Sequence, residues 1–287
     1  MQGVEVSVVV PVRDGENSLR ALLASLAGQT LPRERFEVIV VDNASRDASA
    51  SVARASGATV VSEPVPNRAR ARNAGVSAST APLLAFIDAD CVASREWLEA
   101  FVRCADRAPL VAGRVITTTA EPPNSVERFE RLWRFEQGAW VKLGWAATAN
   151  LMVQRDAYDA VDGFDPAYPH TAEDADFCLR AGRAGYGLAY CAEALATHPA
   201  ERDLAPMLRR AFFHGYGSAQ AHRRIGAGHF AWRRPLPLVR GDAALREVGY
   251  TREDFPPEEY RSILRMARLA YGARIAGSLW AEARRAR

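Results

Sequence analysis

The feature that most constrains this chain is a short apolar segment that ends in two aspartates. Leu83–Ile87 contains only apolar residues, which predicts a strand buried on both faces, as inside a parallel sheet. Asp88 and Asp90 follow it, separated by Ala89. Because residues two apart in an extended chain point the same way, both carboxylates can face one ligand at the carboxyl edge of the sheet. Such oxygen ligands suit Mg²⁺ or Mn²⁺, although a single Asp-x-Asp pair also serves as a turn or a helix cap.

Strand-like and helix-like segments alternate on both sides of this motif. Because such alternation builds βαβ units, it predicts an α/β fold with a doubly wound, mostly parallel sheet. Neither G-x-G-x-x-G nor a P-loop motif follows the first strand, which argues against a dinucleotide oxidoreductase and a P-loop enzyme. Asn43 or Ser45 is predicted to cap the second helix, and Ser94 the fourth. The predicted strands are 5–12, 36–41, 58–62, 83–87, 110–118 and 147–153, and the predicted helices are 14–28, about 45–56, 68–78, 94–107, 125–143, one from 173 and one from 257.

Composition excludes several classes of protein. The net charge of +3 is too small for a protein that binds nucleic acid mainly by electrostatic attraction. No uncharged apolar run approaches the roughly 20 residues that span a bilayer, so we expect a protein that is soluble or held at a membrane surface. The cysteines contain no C-x-x-C pair, which predicts reduced thiols in a cytosolic protein. They are Cys91, Cys104, Cys178 and Cys191.

A second acidic cluster comprises Glu173, Asp174 and Asp176 in the first turn of a predicted helix. Taken by themselves, these residues complement the positive end of the helix dipole. His198 follows a strand-like segment, and an isolated histidine is usually a structural hydrogen-bonding residue. Neither feature indicates a function until the rest of the chain is considered.

Seven short motifs stand in one order along roughly residues 4–215: PVRDGE, VDNASRD, ARARNAG, DAD, ATANLMVQR, GFDP and EDADFCLRAGRAG. Each is weak alone, but in this order they resemble the inverting family 2 glycosyltransferases with the GT-A fold. The resemblance implies a catalytic domain over residues 1–228, with a nucleotide-binding half at 1–118 and an acceptor half at 119–228. Residues 229–287 are expected to form a proline-containing connector and a helical C-terminal appendage. The processive members' Q-x-x-R-W motif is absent, so the resemblance implies a non-processive enzyme that adds one sugar.

The resemblance also assigns the catalytic and acceptor side of the site. Asp174 is expected to be the general base, and Glu173 is expected to orient the acceptor. Asn150 and Asp165 are expected on the acceptor side. These roles follow from the positions of the matching motifs, because the residue types alone do not distinguish them.

The donor side is assigned in the same way. Asp90 is expected to bind a divalent metal, Asp88 to contact the ribose or a metal-bound water, and His198 to supply a third ligand. A purely structural role for His198 stays open. The residues expected to bind the nucleotide and the donor sugar are Pro11, Val12, Glu16, Asp42, Arg72, Asn73, Asp88, Ala89 and Asp90.

The expected activity is the metal-dependent, inverting transfer of one sugar from a nucleotide-diphosphate sugar to an acceptor hydroxyl, with Mg²⁺ or Mn²⁺ as cofactor. A carboxylate such as Asp42 accepts a hydrogen bond from an imide N–H, which favours UDP or dTDP sugars and leaves GDP open. The acceptor is expected to be a glycan, a lipid-linked molecule or a small molecule with a hydroxyl. No nucleic-acid partner is expected.

Two other functions, a sugar nucleotidyltransferase and a catalytically inactive scaffold, fit the sequence less well. A sugar nucleotidyltransferase would carry a glycine-rich basic loop after the first strand, and PVRDGEN is not such a loop. A catalytically inactive scaffold would have no need of Asp88, Asp90 and Asp174. The last helix, with an apolar face and an arginine face, is compatible with packing on the catalytic domain, a homodimer contact or peripheral membrane contact, the first two being favoured. The expected location is the cytoplasm or the inner face of the membrane.

Overall fold

The structure is a computed structural model that describes residues 3–226 and 251–284. The chain divides into two compact units, each of which is described by itself. Of the described residues, unit 1 comprises 3–116, 137–169 and 173–198, and unit 2 comprises 117–136, 170–172, 199–226 and 251–284.

A mixed sheet of eight strands within the described residues is the centre of the fold. Its spatial order is β3-β2-β1-β4-β7-β6-β8-β5. The first four of these strands are parallel, whereas β7 is antiparallel to both β4 and β6, and β5 is antiparallel to β8. The predicted α/β sheet is therefore confirmed. The strands are β1 Val6–Val12, β2 Phe36–Asp42, β3 Thr59–Ser62, β4 Leu83–Ile87, β5 Val92–Ala93, β6 Leu110–Thr118, β7 Asn150–Gln154 and β8 Leu188–Pro199.

Helices flank the sheet and cover both of its faces. Successive residues of β1 show this, because Val8 and Val10 belong to one apolar cluster with Leu19 and Trp97, while Val9 belongs to the other. The α-helices of the described chain are α1 Glu16–Ala27, α2 Ser49–Ala55, α3 Arg68–Ser77, α4 Trp97–Cys104, α5 Ser125–Trp133, α6 Gln137–Val141, α7 Arg155–Asp159, α8 Glu173–Arg183, α9 Leu204–Ile225 and α10 Pro257–Ala283.

The predicted helix caps were wrong, and for Asn43 and Ser45 the reason is that loop contacts use their side chains. Asn43 Nδ2 donates to the carbonyls of Glu63 and Val65, and Ser45 Oγ accepts from the Asp14 N–H. Helix α2 begins later, at Ser49, and α4 begins at Trp97 with no capping side chain from Ser94.

The single helix predicted over 125–143 is two helices, α5 and α6. Gln137, the first residue of α6, is buried and turns its side chain to the following loop. Its Oε1 accepts from the Ala147 N–H, and its Nε2 donates to the carbonyls of Ala147 and Asn150. These bonds hold both ends of a turn at residues 148–149, and β7 starts at Asn150 rather than at 147.

The prediction of four reduced thiols was wrong for two of the cysteines. Cys104 at the end of α4 and Cys191 in β8 form a disulfide, with a Cα–Cα distance of 6.3 Å. These residues are 87 positions apart, so only the packing of α4 on β8 brings them together. Cys91 and Cys178 are buried thiols that do not take part in this disulfide.

In unit 2, the apolar face predicted for the last helix is confirmed. Ile263, Met266, Ala267 and Ala270 of α10 are all buried, and the last three pack with residues of α5 and α9. The start of the predicted proline-containing connector, and with it the domain boundary predicted at 228–229, lies outside the described residues. Within the described ranges, no helix combines the length and the apolar character needed to cross a membrane.

Helix α3 lies unusually close to the sheet at Gly75. A Cβ atom built on Gly75 would lie 2.5 Å from Cγ1 of Val9 in β1 and 3.0 Å from Cγ2 of Val41 in β2. Both valines are fully buried and have no room to move. The glycine of the A-R-N-A-G motif is therefore needed for helix packing, and this packing holds Arg72 of the same helix over the ends of the strands.

We predict that Gly75→Ala lowers the free energy of unfolding by about 1–3 kcal/mol, because the added methyl overpacks the contact with β1. Gly182→Ala in α8 is the matched control. No atom lies within 4 Å of the methyl it adds, so it should leave stability unchanged or raise it by up to about 1 kcal/mol. Urea unfolding of both variants is the measurement, and equal stabilities would contradict this account of α3.

Candidate active site

The carboxyl ends of β1, β2 and β4 meet at one edge of the sheet. The register pairs Val12 with Asp42 and Val9 with Phe86, so the residues that follow these strands emerge side by side. Pro11 and Val12 end β1, Asp42 ends β2, and Asp88 follows β4 directly. This edge is where open α/β sheets bind ligands.

The loops that follow β1 and β2 hold each other through reciprocal hydrogen bonds. Glu16 Oε2 accepts from the Ala48 N–H at 2.9 Å, and Asp47 Oδ2 accepts from the Glu16 N–H at 2.9 Å. Hydrogen bonds from the Ser49 hydroxyl and from Glu16 keep the pKa of Asp47 below its ordinary value. Asp42 Oδ1 accepts from the Ser45 N–H at 3.1 Å. The predicted nucleotide residues Glu16 and Asp42 thus belong to a fixed pair of loops.

Asp88, Asp90 and His198 form a cluster whose ligand atoms all lie within 4.8 Å of one another. His198 Nε2 is 3.1 Å from Asp90 Oδ2, and the imidazole is buried while the Asp90 side chain is 44% exposed. Strand β5 causes this arrangement, because its pairing with β8 aligns Val92 with Thr197 and so brings His198 to the loop after β4. The sequence left open whether His198 is a metal ligand or a structural residue; the structure brings it next to Asp90, and its role as a metal ligand stays a prediction.

The donor set of this cluster fits a divalent cation. Two carboxylates and one imidazole nitrogen are ligands that Mn²⁺ and Mg²⁺ accept, and the exposed side of Asp90 leaves room for substrate oxygens or water. Ala89 between the two aspartates is partly buried and packs against the apolar core, which anchors the loop that carries them.

Arg72 of α3 joins Asp88, at the carboxyl edge of the sheet, to the acidic start of α8. Its side chain is 3% exposed, with Nη1 2.8 Å from Glu173 Oε1 and Nη2 3.3 Å from Asp88 Oδ1. Burial opposes the charge of this guanidinium, but Glu173 and Asp88 outweigh burial and raise the pKa of Arg72. The sequence predicted that Arg72 reaches the diphosphate or the donor sugar, and the structure places both of its terminal nitrogens on carboxylates.

Glu173 and Asp174 begin α8, as the sequence predicted. Asp174 Oδ1 accepts from the Ala175 N–H at 2.8 Å. Loss of hydration, together with the negative charge of Glu173, raises the pKa of Asp174 to about 7, against the opposing effect of Arg72. A carboxyl group with this pKa can take up a proton at neutral pH, which is the property required of a general base.

Asn73 fixes the GFDP turn that precedes α8. Its Oδ1 accepts from the Tyr158 hydroxyl at 2.7 Å and from the Phe164 N–H at 3.0 Å, and its Nδ2 donates to the Phe164 carbonyl at 2.8 Å. Asp165 in the same turn accepts from the Ala167 N–H. These contacts give Asn73 a role in positioning the turn, while its predicted donor contact stays a prediction.

Asn150 lies one strand away from this site and is fully buried. Its Oδ1 accepts from Trp97 Nε1, and its Nδ2 donates to the carbonyls of Arg114 and Ala194, each at 2.8 Å. Both polar atoms of the side chain are therefore used inside the fold. The geometry favours a structural role for Asn150, and its predicted place on the acceptor side stays a prediction.

Two family models match this chain. The model described as Glycosyl transferase family 2 matches residues 7–158, and the model described as Glycosyl transferase family group 2 matches residues 83–285. Glycosyltransferase AglE of Haloferax volcanii is 30% identical over 224 residues, which cover 75% of this chain and 73% of that protein. The pre-mycofactocin glycosyltransferase of Mycobacterium tuberculosis is 33% identical over 229 residues, which cover 75% of this chain but only 47% of that protein.

Solved structures show the same fold at lower identity. A mannosyltransferase from Pyrobaculum calidifontis, in complex with GDP-Man and Mn²⁺, has a TM-score of 0.65 at 20% identity, covering 98% of this chain and 88% of that one. S. aureus TarS in complex with UDP-GlcNAc has a TM-score of 0.57 at 17% identity, covering 99% and 92%. These similarities confirm the predicted GT-A fold. The chain therefore belongs to glycosyl transferase family 2 and is a glycosyltransferase.

Proposed function

We propose that this chain transfers one sugar from a nucleotide-diphosphate sugar to an acceptor hydroxyl, in a metal-dependent, inverting and non-processive reaction. The observation that carries the proposal is the placement of two groups about one buried arginine. Arg72 contacts Asp88 of the Asp88–Asp90–His198 cluster on one side, and Glu173, the neighbour of the general base Asp174, on the other. A donor centre and an acceptor centre are thereby held next to each other.

The donor half of the proposal has support from the loops and from the structural neighbours. Pro11, Val12, Glu16 and Asp42 stand together at the sheet edge, where a nucleotide would bind. Two structural neighbours hold GDP-Man with Mn²⁺ and UDP-GlcNAc. A carboxylate at Asp42 favours UDP or dTDP, with GDP as the further candidate.

The chemistry follows from what each residue can hold or move. A divalent ion held by Asp88, Asp90 and His198 would neutralise the charge that develops on the departing diphosphate. Asp174 takes the proton from the acceptor hydroxyl. At the same time the oxygen of that hydroxyl bonds to the anomeric carbon, and the bond from this carbon to the diphosphate oxygen breaks. Because the nucleophile attacks from the face opposite the leaving group, this single displacement inverts the anomeric configuration.

Other parts of the sequence prediction remain proposals. They are the division into a catalytic domain at 1–228 and an extension at 229–287, a homodimer or peripheral membrane contact through α10, and a location in the cytoplasm or at the inner face of the membrane.

The donor can be identified by measuring thermal shifts with Mn²⁺ across a panel of nucleotide sugars, since ligands that bind the folded state raise its stability. Hydrolysis of the donor that binds then separates an active enzyme from an inactive scaffold.

We predict that Mn²⁺ binds tightly only when UDP or GDP is present, because three protein ligands leave the coordination shell incomplete without phosphate oxygens. Asp90→Asn should weaken nucleotide-dependent Mn²⁺ binding by at least about 10- to 100-fold. Asp106→Asn, at an exposed position outside the cluster, is the control and should bind as the wild type does. Calorimetric titration with and without nucleotide is the measurement, and equal Mn²⁺ affinities would refute the site.

We predict that the rate of transfer rises about tenfold per pH unit up to pH 7, because Asp174 must lose its proton before it can act as a base. Asp174→Asn should keep UDP–Mn²⁺ affinity and lose transfer by about 10²–10⁴-fold, with the rise in this pH range abolished. Asp159→Asn, at an exposed position, should behave as the wild type does. Single-turnover rates across pH are the measurement, and a wild-type profile in Asp174→Asn would move the base to another residue.

A further inference from the structure

The residue just before α8 has an unusual backbone conformation. Ala172 has a φ of 80°, in the left-handed region that residues with a Cβ atom rarely adopt. It is also buried, and the next residue along the chain is Glu173, which begins α8. A backbone angle of this kind persists only where the surrounding packing imposes it, and residues with such angles cluster at functional sites.

Helix α9 supplies this packing within unit 2. A Cβ atom built on Gly217 would lie 2.6 Å from the Thr171 carbonyl oxygen and 3.1 Å from Cβ of Ala172, so the chain before α8 lies directly on the backbone of α9. One turn earlier in α9, the ring of Phe213 lies against the imidazole of His170, with 3.9 Å between the ring centres. Positions four apart share one face of a helix, so a single face of α9 makes both contacts.

These contacts reach the proposed general base through the chain itself. Glu173 and Asp174 follow Ala172 directly, so the backbone angles of Ala172 set the direction in which α8 begins. Arg72 anchors the side chain of Glu173, whereas Asp174 Oδ1 accepts from the N–H of its own neighbour Ala175, a local contact that turns with the helix start. A misplacement of about 1 Å in a reacting group can cost about 10²-fold in rate.

We propose that Gly217 and Ala172 are positioning residues for the transfer reaction, and that α9 aims Asp174 by holding the chain before α8 in its left-handed turn. The inference rests on the proposed function, in which Asp174 is the general base. It gives α9 a part in the reaction without a contact to the reacting atoms. Nucleotide affinity should therefore not depend on this face of α9, whereas the rate of the chemical step should.

Gly217→Ala tests the contact between α9 and the chain before α8. Because the added methyl meets a backbone carbonyl, which cannot turn away as the tip of a side chain can, the chain at Thr171 has to shift. Single-turnover hydrolysis of the donor identified by thermal shift, with Mn²⁺ and with water as the attacking group, should slow about 10- to 100-fold. Affinity for UDP–Mn²⁺ or GDP–Mn²⁺ should stay within about twofold of the wild type.

Gly272→Ala in α10 is the matched control for this variant. No atom lies within 4 Å of the methyl that it adds, so donor hydrolysis and nucleotide affinity should both equal those of the wild type. The full chain is used throughout.

His170 provides a second variant at an exposed position, where a substitution should not prevent folding. His170→Ala removes the ring contact with Phe213. Because the strain of a left-handed alanine and the contribution of one ring contact are of similar size, the turn should relax in part of the molecules, and donor hydrolysis should slow about 2- to 10-fold. Ala172→Gly added to His170→Ala should restore the rate, because glycine adopts a positive φ without strain.

A wild-type rate in Gly217→Ala or in His170→Ala would overturn the inference, as would a failure of Ala172→Gly to restore the rate of His170→Ala. Should Gly217→Ala not fold, the His170 variants decide the question alone. In each of these cases, Mn²⁺-dependent donor turnover by the unchanged protein leaves the proposed function standing. An unchanged protein that binds no nucleotide and turns over no donor would instead remove the proposed function, and this inference with it.

Discussion

The buried guanidinium of Arg72 is the contact on which the site depends. It stands between Asp88, which follows β4, and Glu173, which begins α8. Two segments far apart in the chain thereby place their carboxylates around the guanidinium of Arg72. Loss of one partner from a buried ion pair leaves an uncompensated charge and typically costs about 3–5 kcal/mol, more than the intact pair contributes. Arg72 therefore constrains both the geometry and the charge of the centre.

The fold supplies the rigidity that this contact needs. Gly75 lets α3, the helix that carries Arg72, lie against β1 and β2, because a side chain at this position would clash with Val9. Asn73 of the same helix holds the turn that leads to α8. One helix thus positions the acidic start of α8, while the pairing of β5 with β8 separately brings His198 to the aspartates after β4.

The sequence predicted those parts of the site that follow from local pattern. The apolar run before Asp88 indicated a buried strand, and the acidic cluster with Asp174 indicated a helix start. Long-range contacts were not predictable in this way. The place of His198 depends on strand pairing, the Cys104–Cys191 disulfide joins residues 87 apart, and the contacts of Arg72 depend on how α3 packs. The caps predicted at Asn43 and Ser45 failed because a local rule does not show that loop contacts use the same side chain.

The central claim is a single displacement at the anomeric carbon, assisted by Asp174 as general base. The most direct test is time-resolved ¹H NMR of donor hydrolysis in the presence of Mn²⁺, with water as the attacking group and no acceptor present. We predict that the sugar released first has the anomeric configuration opposite to that of the donor, before mutarotation mixes the two forms. A first product with the configuration of the donor would contradict it, because retention requires a double displacement or attack from the side of the departing diphosphate.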